Sequence, residues 1–433
     1  MRNLKHFALP FVILFSLPIL SSSSSQTQIP TISTSGSVNY PPNPPPDSYL
    51  MIRRQTYQAV LFSAETFAST SDLWIAHWDS LAKAQAIKAI RSDVLTFVYF
   101  NTRALWREES SEYNAERLQL FKDNNWILKD AQGNYVTSAD GDYYFIDFGH
   151  TGYHTWLANW YKGYIDAYGL DGASLDNWGT STLSFYGLTQ TPINPRTGTT
   201  WTSQQVCDAY KALTIKIRDT IGEGKYVHVN GIFNGRHFYG EDRTQYYMDG
   251  LLNGGVNAVT SEAWVSYRDT SEWYSEDLWL KGINMAVWVS DNFLSLGNRI
   301  FVTMSDNAGS FWPENNVLLP SGVTKEQYAL YCFASRLLAA DYDGNYVNFG
   351  CYTPEDYPQS LFKIELGNPL AAYYIVAGTH IYARDFSKVK VLVNPTYDPY
   401  SVSLDGNYET LDGVKVTSPI TISPHFGIIL RRL

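Results

Sequence analysis

The chain has 433 residues, of which 45% are hydrophobic and 17% are charged, so it is long enough to bury one large core and a second, smaller one. The formal net charge is −10, and basic residues occur in runs no longer than a dipeptide, which excludes nucleic acid as an expected partner. The 3 cysteines are odd in number and widely spaced, which excludes a disulfide framework and a thiolate metal site of the usual spacing. A disulfide between Cys332 and Cys351 stays open beside the alternative that both are small buried hydrophobic residues.

The N-terminus predicts an export signal over residues 1–25. Arg2 and Lys5 supply positive charge, the stretch from Phe7 to Leu20 is apolar, and Ser21 to Ser25 offers small residues for cleavage. The apolar stretch is shorter than the roughly 20 residues that span a bilayer, but no clear Ala-x-Ala cleavage site is present. We therefore expect a secreted or extracellular protein, with a membrane tether through an uncleaved N-terminal segment as the alternative.

Residues 26–48 consist largely of Ser, Thr, Gln and Pro and end in the run Pro41-Pro-Asn-Pro-Pro-Pro46. Such a composition cannot form a core, and it predicts a flexible linker that polyproline stiffens at its end. Folded structure is expected from residue 49 onwards.

Beyond the linker, β-like runs alternate with amphipathic, helix-like stretches. The predicted strands are Ala59–Ser63, Leu95–Phe100, Tyr144–Asp147, Gly172–Asp176, Tyr226–Asn230, Ala258–Glu262, Ile300–Met304 and Tyr346–Phe349. The predicted helices include Asp72–Ile90, His154–Tyr168, Ser203–Ile221, Glu276–Leu296 and Lys325–Ala340. Eight βα units favour a (β/α)8 TIM barrel over residues 49–380, with an open, doubly wound sheet as the rival architecture.

Near the end of the predicted barrel, the pattern of hydrophobic residues changes. A last helix is predicted over Ala371–Gly378, and short segments of alternating hydrophobicity follow to the end of the chain. We interpret residues 381–433 as a small antiparallel, β-sandwich-like domain that supports the barrel. Carbohydrate binding by this domain stays open, although no particular residue indicates it.

The stretch from Gly169 to Trp178 reads as a buried strand that ends in a carboxylate, an amide and an aromatic ring. Side chains alternate on a strand, so Ser174 and Asp176 share one face. Asp171 lies five residues before Asp176, about 16 Å away along an extended strand, and we interpret it as structural. The catalytic partner of Asp176 must therefore come from another strand.

In a TIM barrel the chemistry occurs at the carboxyl ends of the strands. His228 and Asn230 alternate with Val227 and Val229, which places polar groups toward the barrel axis, where a ligand would meet them. The polar or aromatic residues at the predicted strand ends are Glu65, Asn101, Arg103, Asp147, Asp176, Asn177, Asn230, Glu262, Trp264 and Asp306.

Two of these carboxylates, Asp176 and Glu262, are the predicted catalytic pair. The alternatives are that Asp176 caps a loop or pairs with Arg103, and that Glu262 forms a salt bridge. Predicted substrate-binding residues are Glu65, Asn101, Arg103, Asp147, Asn177, Trp178, Asn230 and Trp264, with Trp106 and Tyr352 as further stacking candidates. The sequence contains no Gly-x-Ser-x-Gly motif of serine hydrolases, no phosphate-binding loop, no Rossmann glycine fingerprint and no His-Glu-x-x-His metalloprotease motif, so we expect no metal and no cofactor.

Several motifs resemble a glycosyl-hydrolase-like TIM-barrel family, defined from sequences as hypothetical hydrolases and similar to the α-glycosidase barrel group. The motifs are Gly-x-Asp-Gly-x-x-x-Asp-Asn (Gly169 to Asn177), Leu366-Gly-Asn-Pro369, Tyr382-x-Arg384-x-Phe386 and Val391-Leu-Val-Asn-Pro395. The resemblance implies a nucleophilic Asp at the end of the fourth strand, which falls on Asp176. Several α-glycosidase families place the acid on the sixth strand, which falls on Glu262, although some of them use Asp at that position.

Together the residues and the resemblance predict a secreted, retaining glycoside hydrolase. Asp176 would be the nucleophile and Glu262 the general acid and base, acting on an oligosaccharide or polysaccharide. The alternative is a non-catalytic carbohydrate-binding surface protein on a glycosidase-like barrel.

Overall fold

The structure, a computed structural model, describes residues 51–57, 63–107, 112–179, 188–232, 235–239, 244–262, 264–265, 273–297, 299–304, 324–340, 346–351 and 359–433. The predicted export signal and linker lie outside these residues. So do Asp306, Tyr352 and all of the predicted strand Ala59–Ser63 except Ser63.

Eight parallel strands of the described chain form a closed barrel. Each strand pairs with its neighbours in chain order, and the last pairs with the first. The strands are β1 (Met51–Tyr57), β2 (Leu73–Ala76), β3 (Leu95–Asn101), β4 (Gly172–Asp176), β5 (Tyr226–Asn230), β6 (Ala258–Ser261), β7 (Ile300–Met304) and β8 (Tyr346–Cys351). The predicted TIM barrel is confirmed, and the open sheet is excluded.

The helices of the described chain follow the strands. They are α1 (Ala64–Thr70), α2 (Ala82–Ile90), α3 (Glu112–Asp123), α4 (Thr151–Tyr168), α5 (Ser203–Ile221), α6 (Gly235–Phe238), α7 (Thr244–Asn253), α8 (Glu276–Asn292) and α9 (Lys325–Leu338). The starts of α5 and α9 carry capping boxes, in which the side chain of Thr202 or Thr324 exchanges hydrogen bonds with a glutamine three residues later. None of the described helices combines the length and the apolar character that a bilayer span requires.

Two strand predictions are wrong, and their effects on the strand count cancel. Leu73–Ala76 is a barrel strand, although the sequence suggested that a helix begins at Asp72. Tyr144–Asp147 was counted as a barrel strand, but residues Tyr143–Phe145 pair antiparallel with Ala104–Trp106 outside the barrel. Gly172–Asp176 therefore remains the fourth strand and Ala258–Ser261 the sixth.

The lower interior of the barrel is apolar. It is filled by a cluster of inward-facing side chains: Leu73, Ile75, Phe97, Ala258, Ile300, Val302 and Met304. These apolar side chains fill the amino-terminal end of the barrel. The polar groups therefore face the mouth at the carboxyl ends of the strands.

The loops that follow β3 and β4 are long and associate with each other. The first contains the antiparallel pair of Ala104–Trp106 with Tyr143–Phe145. The second joins it through single β-bridges, from Leu188 to Ser138 and from Ile193 to Lys129. We call the described residues of 102–149 and 188–202 the insert.

The C-terminal domain is antiparallel, as predicted. Its strands are β9 (Tyr374–Ile375), β10 (Tyr382–Asp385), β11 (Val389–Asn394), β12 (Tyr400–Val402), β13 (Tyr408–Glu409), β14 (Lys415–Val416), β15 (Ile420–Ile422) and β16 (Phe426–Arg432). Six of them form a sheet in the order β9-β10-β11-β16-β13-β14, and β12 pairs with β15. The predicted helix Ala371–Gly378 is wrong, because Tyr374 and Ile375 pair with β10 instead of forming a local helix.

A buried arginine of this domain contacts the end of a barrel helix. Arg384 is 4% exposed, and its Nη1 donates to the carbonyl oxygens of Leu338 at 2.8 Å and Ala340 at 2.6 Å. These carbonyls lie at the end of α9, where no intrahelical donor can reach them. The domain therefore satisfies backbone groups that the barrel leaves unpaired.

Candidate active site

The side chains of Asp176, Asn230 and Glu262 meet at the carboxyl ends of β4, β5 and β6. In the sheet register Asp176 lies opposite Asn230, and Glu262 directly follows β6. Nδ2 of Asn230 donates to Oδ1 of Asp176 and to Oε1 of Glu262, at 2.9 Å in both cases. One amide group thus lies between the two predicted catalytic carboxylates and contacts both.

This arrangement limits the distance between the carboxylates. If each accepts one of the two N–H bonds of a planar amide, which diverge by roughly 120°, the two oxygens are about 5 Å apart. Retaining glycosidases separate their carboxyl groups by roughly 5–5.5 Å, whereas inverting enzymes need roughly 6.5–9.5 Å to admit a water molecule. An oxygen separation of about 5 Å lies at the lower end of the range for retaining enzymes.

Asp176 accepts hydrogen bonds from three side chains of the described residues. Besides Asn230, the hydroxyl of Tyr99 donates to Oδ2 at 2.6 Å, and Nδ2 of Asn177 donates to the same oxygen at 3.1 Å. Asn177 has a φ of 57°, a left-handed conformation that asparagine tolerates better than most residues. Because all three groups are donors, they match the ionised form of the carboxylate.

A second polar layer lies one step below these residues. The buried imidazole of His228 is 2.8 Å from Oγ of Ser174 through Nδ1 and 2.8 Å from Oγ1 of Thr260 through Nε2. Burial lowers the pKa of His228 to about 3, so its ring is neutral and can donate from one nitrogen while accepting at the other. The layer links β4, β5 and β6 directly beneath the carboxylates. It results from the predicted alternation of inward-facing and outward-facing side chains along these strands.

Asp171, at the opposite end of β4, is structural as predicted. Its Oδ2 accepts from the backbone nitrogen of Thr96 at 2.8 Å and forms a 2.7 Å ion pair with Lys88. These contacts hold the start of β4 against β3 and α2.

Asn101 and Arg103 shape the start of the insert. Oδ1 of Asn101 accepts from the backbone nitrogens of Arg103 and Ala104, at 3.1 Å each, so it stabilises the turn that leaves β3. Arg103 is 2% exposed, and its Nε donates to the hydroxyl of Tyr210 at 3.2 Å. The guanidinium of Arg103 is thus part of the packing beneath the insert.

Asp147 is likewise structural. The carboxylate is buried and forms two hydrogen bonds with the guanidinium of Arg196, at 3.0 and 2.7 Å. Because Asp147 follows the hairpin and Arg196 belongs to the loop after β4, this bidentate pair joins the two parts of the insert. The prediction that Asp147 binds substrate is therefore corrected.

The rings of Trp178 and Trp264 are not available for stacking on a sugar. Trp178 is 2% exposed and Trp264 is 0% exposed. A Cβ on Gly250 would lie 2.7 Å from the Trp178 ring, so this ring occupies space that a glycine leaves open. Both tryptophans belong to the core, contrary to the prediction.

Trp106, a further predicted stacking residue, is half-buried. Its ring meets the ring of Tyr143 edge-on at a centroid distance of 4.8 Å. Burial, together with the charges of Asp140, Asp142 and Asp176, raises the pKa of Tyr143 to about 12, which places this part of the hairpin within electrostatic range of the site.

Glu65 lies on the first turn of α1 and is exposed. The sequence placed it at the end of a first strand over Ala59–Ser63, but β1 ends at Tyr57 and Ser63 is the N-cap of α1. A backbone hydrogen bond and the Ser63 hydroxyl lower the pKa of Glu65, as expected for an acid at a helix N-terminus. The basis for its predicted role at the barrel mouth is thus removed.

Two residues of the site were missed. Tyr99 shares the inward face of β3 with Phe97 and Asn101, so the same alternation that identified Asn230 could have found it. His77 follows β2, the strand that the sequence did not reveal. Its ring lies 6.1 Å from that of Tyr99.

No protein-family model and no curated protein matches the chain. Among solved structures, the noncanonic maltogenic α-amylase AmyB of Thermotoga neapolitana matches with a TM-score of 0.51 and 9% identity, over 89% of this chain and 99% of that one. The trehalose-6-phosphate hydrolase TreA of Bacillus licheniformis gives a TM-score of 0.48 and 9% identity, over 89% and 100%. The isomalto-dextranase of Arthrobacter globiformis T6, complexed with panose, gives 0.46 and 12%, over 89% and 72%.

At these identities the comparison establishes the fold. The chain shares its fold with the Thermotoga neapolitana α-amylase, and in this chain that fold is a (β/α)8 barrel followed by a C-terminal antiparallel β domain. The predicted glycosidase-like barrel is thus confirmed as a fold.

Proposed function

We propose that this protein is a secreted glycoside hydrolase that cleaves a glycosidic bond in an oligosaccharide or polysaccharide with retention of configuration. The observation that carries the proposal is the Asn230 amide, which donates at 2.9 Å to both Asp176 and Glu262. Two carboxylates held about 5 Å apart at the mouth of a barrel are what a double-displacement mechanism requires.

In the first step, Oδ1 of Asp176 attacks the anomeric carbon while Glu262 transfers a proton to the glycosidic oxygen. The bond between that carbon and that oxygen breaks, the alcohol leaves, and a glycosyl ester forms on Asp176. Oδ1 is the attacking oxygen because it accepts one described hydrogen bond, from Asn230, whereas Oδ2 accepts two, from Tyr99 and Asn177.

In the second step, the Glu262 carboxylate takes a proton from water as the water oxygen attacks the anomeric carbon. The ester bond breaks, Asp176 recovers its negative charge and Glu262 recovers its proton. Two inversions at one carbon give net retention.

The Asn230 amide keeps the two acids in their separate roles. It can only donate through Nδ2, so Oε1 of Glu262 is an acceptor and Oε2 is the oxygen that carries the catalytic proton. The same group holds Oδ1 of Asp176 in place before attack. Tyr99 and Asn177 disperse the charge that returns to Oδ2 when the ester is cleaved.

The fold shared with the Thermotoga neapolitana α-amylase supports a carbohydrate as the substrate. Secretion is proposed from the charged and apolar segments of residues 1–25.

The test is turnover on a panel of nitrophenyl glycosides and oligosaccharides of glucose, galactose, mannose and xylose in both anomeric configurations. Asp176→Asn should abolish release of sugar, and Glu262→Gln should reduce it by about 10²–10⁴-fold. Azide should restore turnover to an Asp176→Gly variant and give a glycosyl azide of inverted configuration. Asp171→Asn, a matched carboxylate change at the other end of β4, should keep full activity per folded molecule.

Full activity in Asp176→Asn or Glu262→Gln rules out the role assigned to that residue. NMR of the first-formed sugar anomer distinguishes retention from inversion. Binding of several glycans without any product would instead identify a carbohydrate-binding protein.

A further inference from the structure

β2 brings a histidine to the mouth of the barrel. Leu73 and Ile75 on this strand face the barrel interior, and side chains alternate along a strand. His77 therefore continues the inward face, immediately beyond the carboxyl end of β2 at Ala76.

The histidine lies beside the tyrosine that contacts Asp176. Its ring centroid is 6.1 Å from that of Tyr99, whose hydroxyl donates at 2.6 Å to Oδ2 of Asp176. The side chain of His77 is 34% exposed, so part of it is open to a ligand. Tyr99 thus has His77 on one side and Asp176 at its hydroxyl.

The partner of His77 defines which nitrogen can receive a hydroxyl group. Nδ1 is 3.0 Å from Oδ1 of Asp79, and an ionised carboxylate can only accept a hydrogen bond. In the tautomer that carries its hydrogen on Nδ1, this contact is a hydrogen bond to Asp79, and Nε2 presents a lone pair.

The side chain of His77 is not needed to form the local turn. His77 precedes the 3-10 turn Trp78–Ser80, and its side chain makes no capping hydrogen bond there. The backbone carbonyl of His77 accepts from the nitrogen of Ser80 at 3.0 Å and from its hydroxyl at 2.8 Å. Replacement of the imidazole therefore leaves the contacts that build the turn.

We propose that His77 is a substrate-binding residue whose Nε2 accepts a hydrogen bond from a hydroxyl group of the sugar unit that Asp176 attacks. Asp79 fixes the tautomer and acts as a positioning residue. The inference rests on the proposed function, because it places a sugar at Asp176. It assigns a specificity role to the strand opposite the one that carries Glu262.

The test compares two replacements of different chemistry. His77→Phe keeps an aromatic ring beside Tyr99 but removes both nitrogens, and His77→Gln places an amide oxygen near the position of Nε2. With the nitrophenyl glycoside that the wild type hydrolyses fastest, His77→Phe should lower kcat/KM by about 10- to 100-fold. His77→Gln should recover a measurable part of that loss, and both variants should melt within about 4 °C of the wild type.

His380→Phe is the matched control, because His380 is an exposed histidine of the C-terminal domain and its replacement should leave kcat/KM unchanged. A His77→Phe enzyme with wild-type kcat/KM overturns the proposal. Equal losses in both His77 variants, accompanied by a clear fall in melting temperature, also overturn it in favour of a structural role.

Saturation-transfer NMR with every member of the glycoside panel separates this inference from the hydrolase proposal. If the wild type binds a glycoside but cleaves no member of the panel, the hydrolase proposal fails, and loss of binding of that glycoside in His77→Phe still supports the role of His77. If the wild type cleaves the glycoside and His77→Phe binds it equally well, the role of His77 fails alone. A wild type that neither binds nor cleaves any member of the panel overturns both.

Discussion

The hydroxyl of Tyr99 donates a 2.6 Å hydrogen bond to Oδ2 of Asp176, across two adjacent barrel strands. Charged acceptors make such bonds worth about 1.5–3 kcal/mol, and this one lies on the oxygen opposite the proposed point of attack. We predict that Tyr99→Phe lowers kcat by about 10- to 100-fold with a smaller change in KM. Steady-state kinetics on the best substrate of the panel measures the effect. An unchanged kcat would mean that Tyr99 does not assist Asp176.

The close approach of two strand ends makes Gly231 irreplaceable. A Cβ at this position would lie 1.6 Å from the carbonyl oxygen of Trp178, and Trp178 also donates its backbone N–H to the carbonyl of Asn230 at 3.1 Å. Gly231→Ala must therefore separate the segments that carry Asp176 and Asn230. We expect loss of most activity and a lower melting temperature.

Gly163→Ala is the control for this experiment. Gly163 lies within α4, and a Cβ there meets no atom within 4 Å. Since alanine favours a helix over glycine by about 0.5–1 kcal/mol, the control should be active and slightly more stable. Wild-type activity in Gly231→Ala would contradict the described approach of the strands.

The Asp147–Arg196 pair should matter for stability. The side chain of Asp147 is 2% exposed and that of Arg196 is 39% exposed. Arg196→Met removes two hydrogen bonds of the buried carboxylate, which keeps the described bond from the backbone nitrogen of Gly149 at 3.2 Å. Because Arg196 is partly exposed, we expect a cost below the roughly 3–5 kcal/mol of a fully buried pair. The double variant Asp147→Asn with Arg196→Met should recover part of that loss. Urea unfolding of the wild type, the single variants Asp147→Asn and Arg196→Met and the double variant gives the coupling energy, and strictly additive losses would show that the pair contributes no specific energy.

Stability should fall in mild acid because of buried neutral histidines. Burial lowers the pKa of His425 to about 4, and the ring stacks on Trp273 at 4.8 Å with neither nitrogen hydrogen-bonded within the described chain. The unfolded chain binds this proton at a pKa near 6.5, so it takes up more protons than the folded chain between about pH 6.5 and pH 4. Stability therefore rises with pH in this window and is lost as the pH falls, by about 2–3 kcal/mol for this group at pH 4.5.

His425→Asn tests this assignment. The φ of His425 is 47°, which asparagine tolerates, and asparagine does not titrate. The variant should be less stable than the wild type at pH 7, because the stacked ring is lost. Its unfolding free energy should also depend less steeply on pH between 6.5 and 4.5. An identical pH dependence in the two proteins would exclude His425 as a contributor.

The sequence predicts the barrel because most of its strands are short β-like runs separated by amphipathic, helix-like stretches. β2 was not predicted because it has only four residues, Leu73–Ala76, and these precede the amphipathic pattern of α2 closely. The hairpin strand at Tyr143–Phe145 has the composition of a barrel strand, and only its antiparallel pairing partner distinguishes it. In both cases the assignment depends on pairing with residues that are distant in the sequence.

The catalytic pair could be predicted for a different reason. Because side chains alternate along a strand, Asp176 faces the same side as Ser174, and Asn230 faces the same side as His228. A local pattern therefore determines which way these side chains point. The orientations of Trp178 and Trp264 depend instead on Gly250 and Gly282, which are distant in the sequence and leave space for the buried tryptophan residues. The Asp147–Arg196 pair likewise joins residues 49 positions apart, and no local signal links them.

The Arg384 contact with the end of α9 has a consequence for how the protein can be divided. A fragment that stops before β10 would expose the carbonyls of Leu338 and Ala340 and the apolar surface that the sheet covers. Expression of the barrel by itself should therefore yield aggregated material, and any functional fragment has to retain the chain through its final strand.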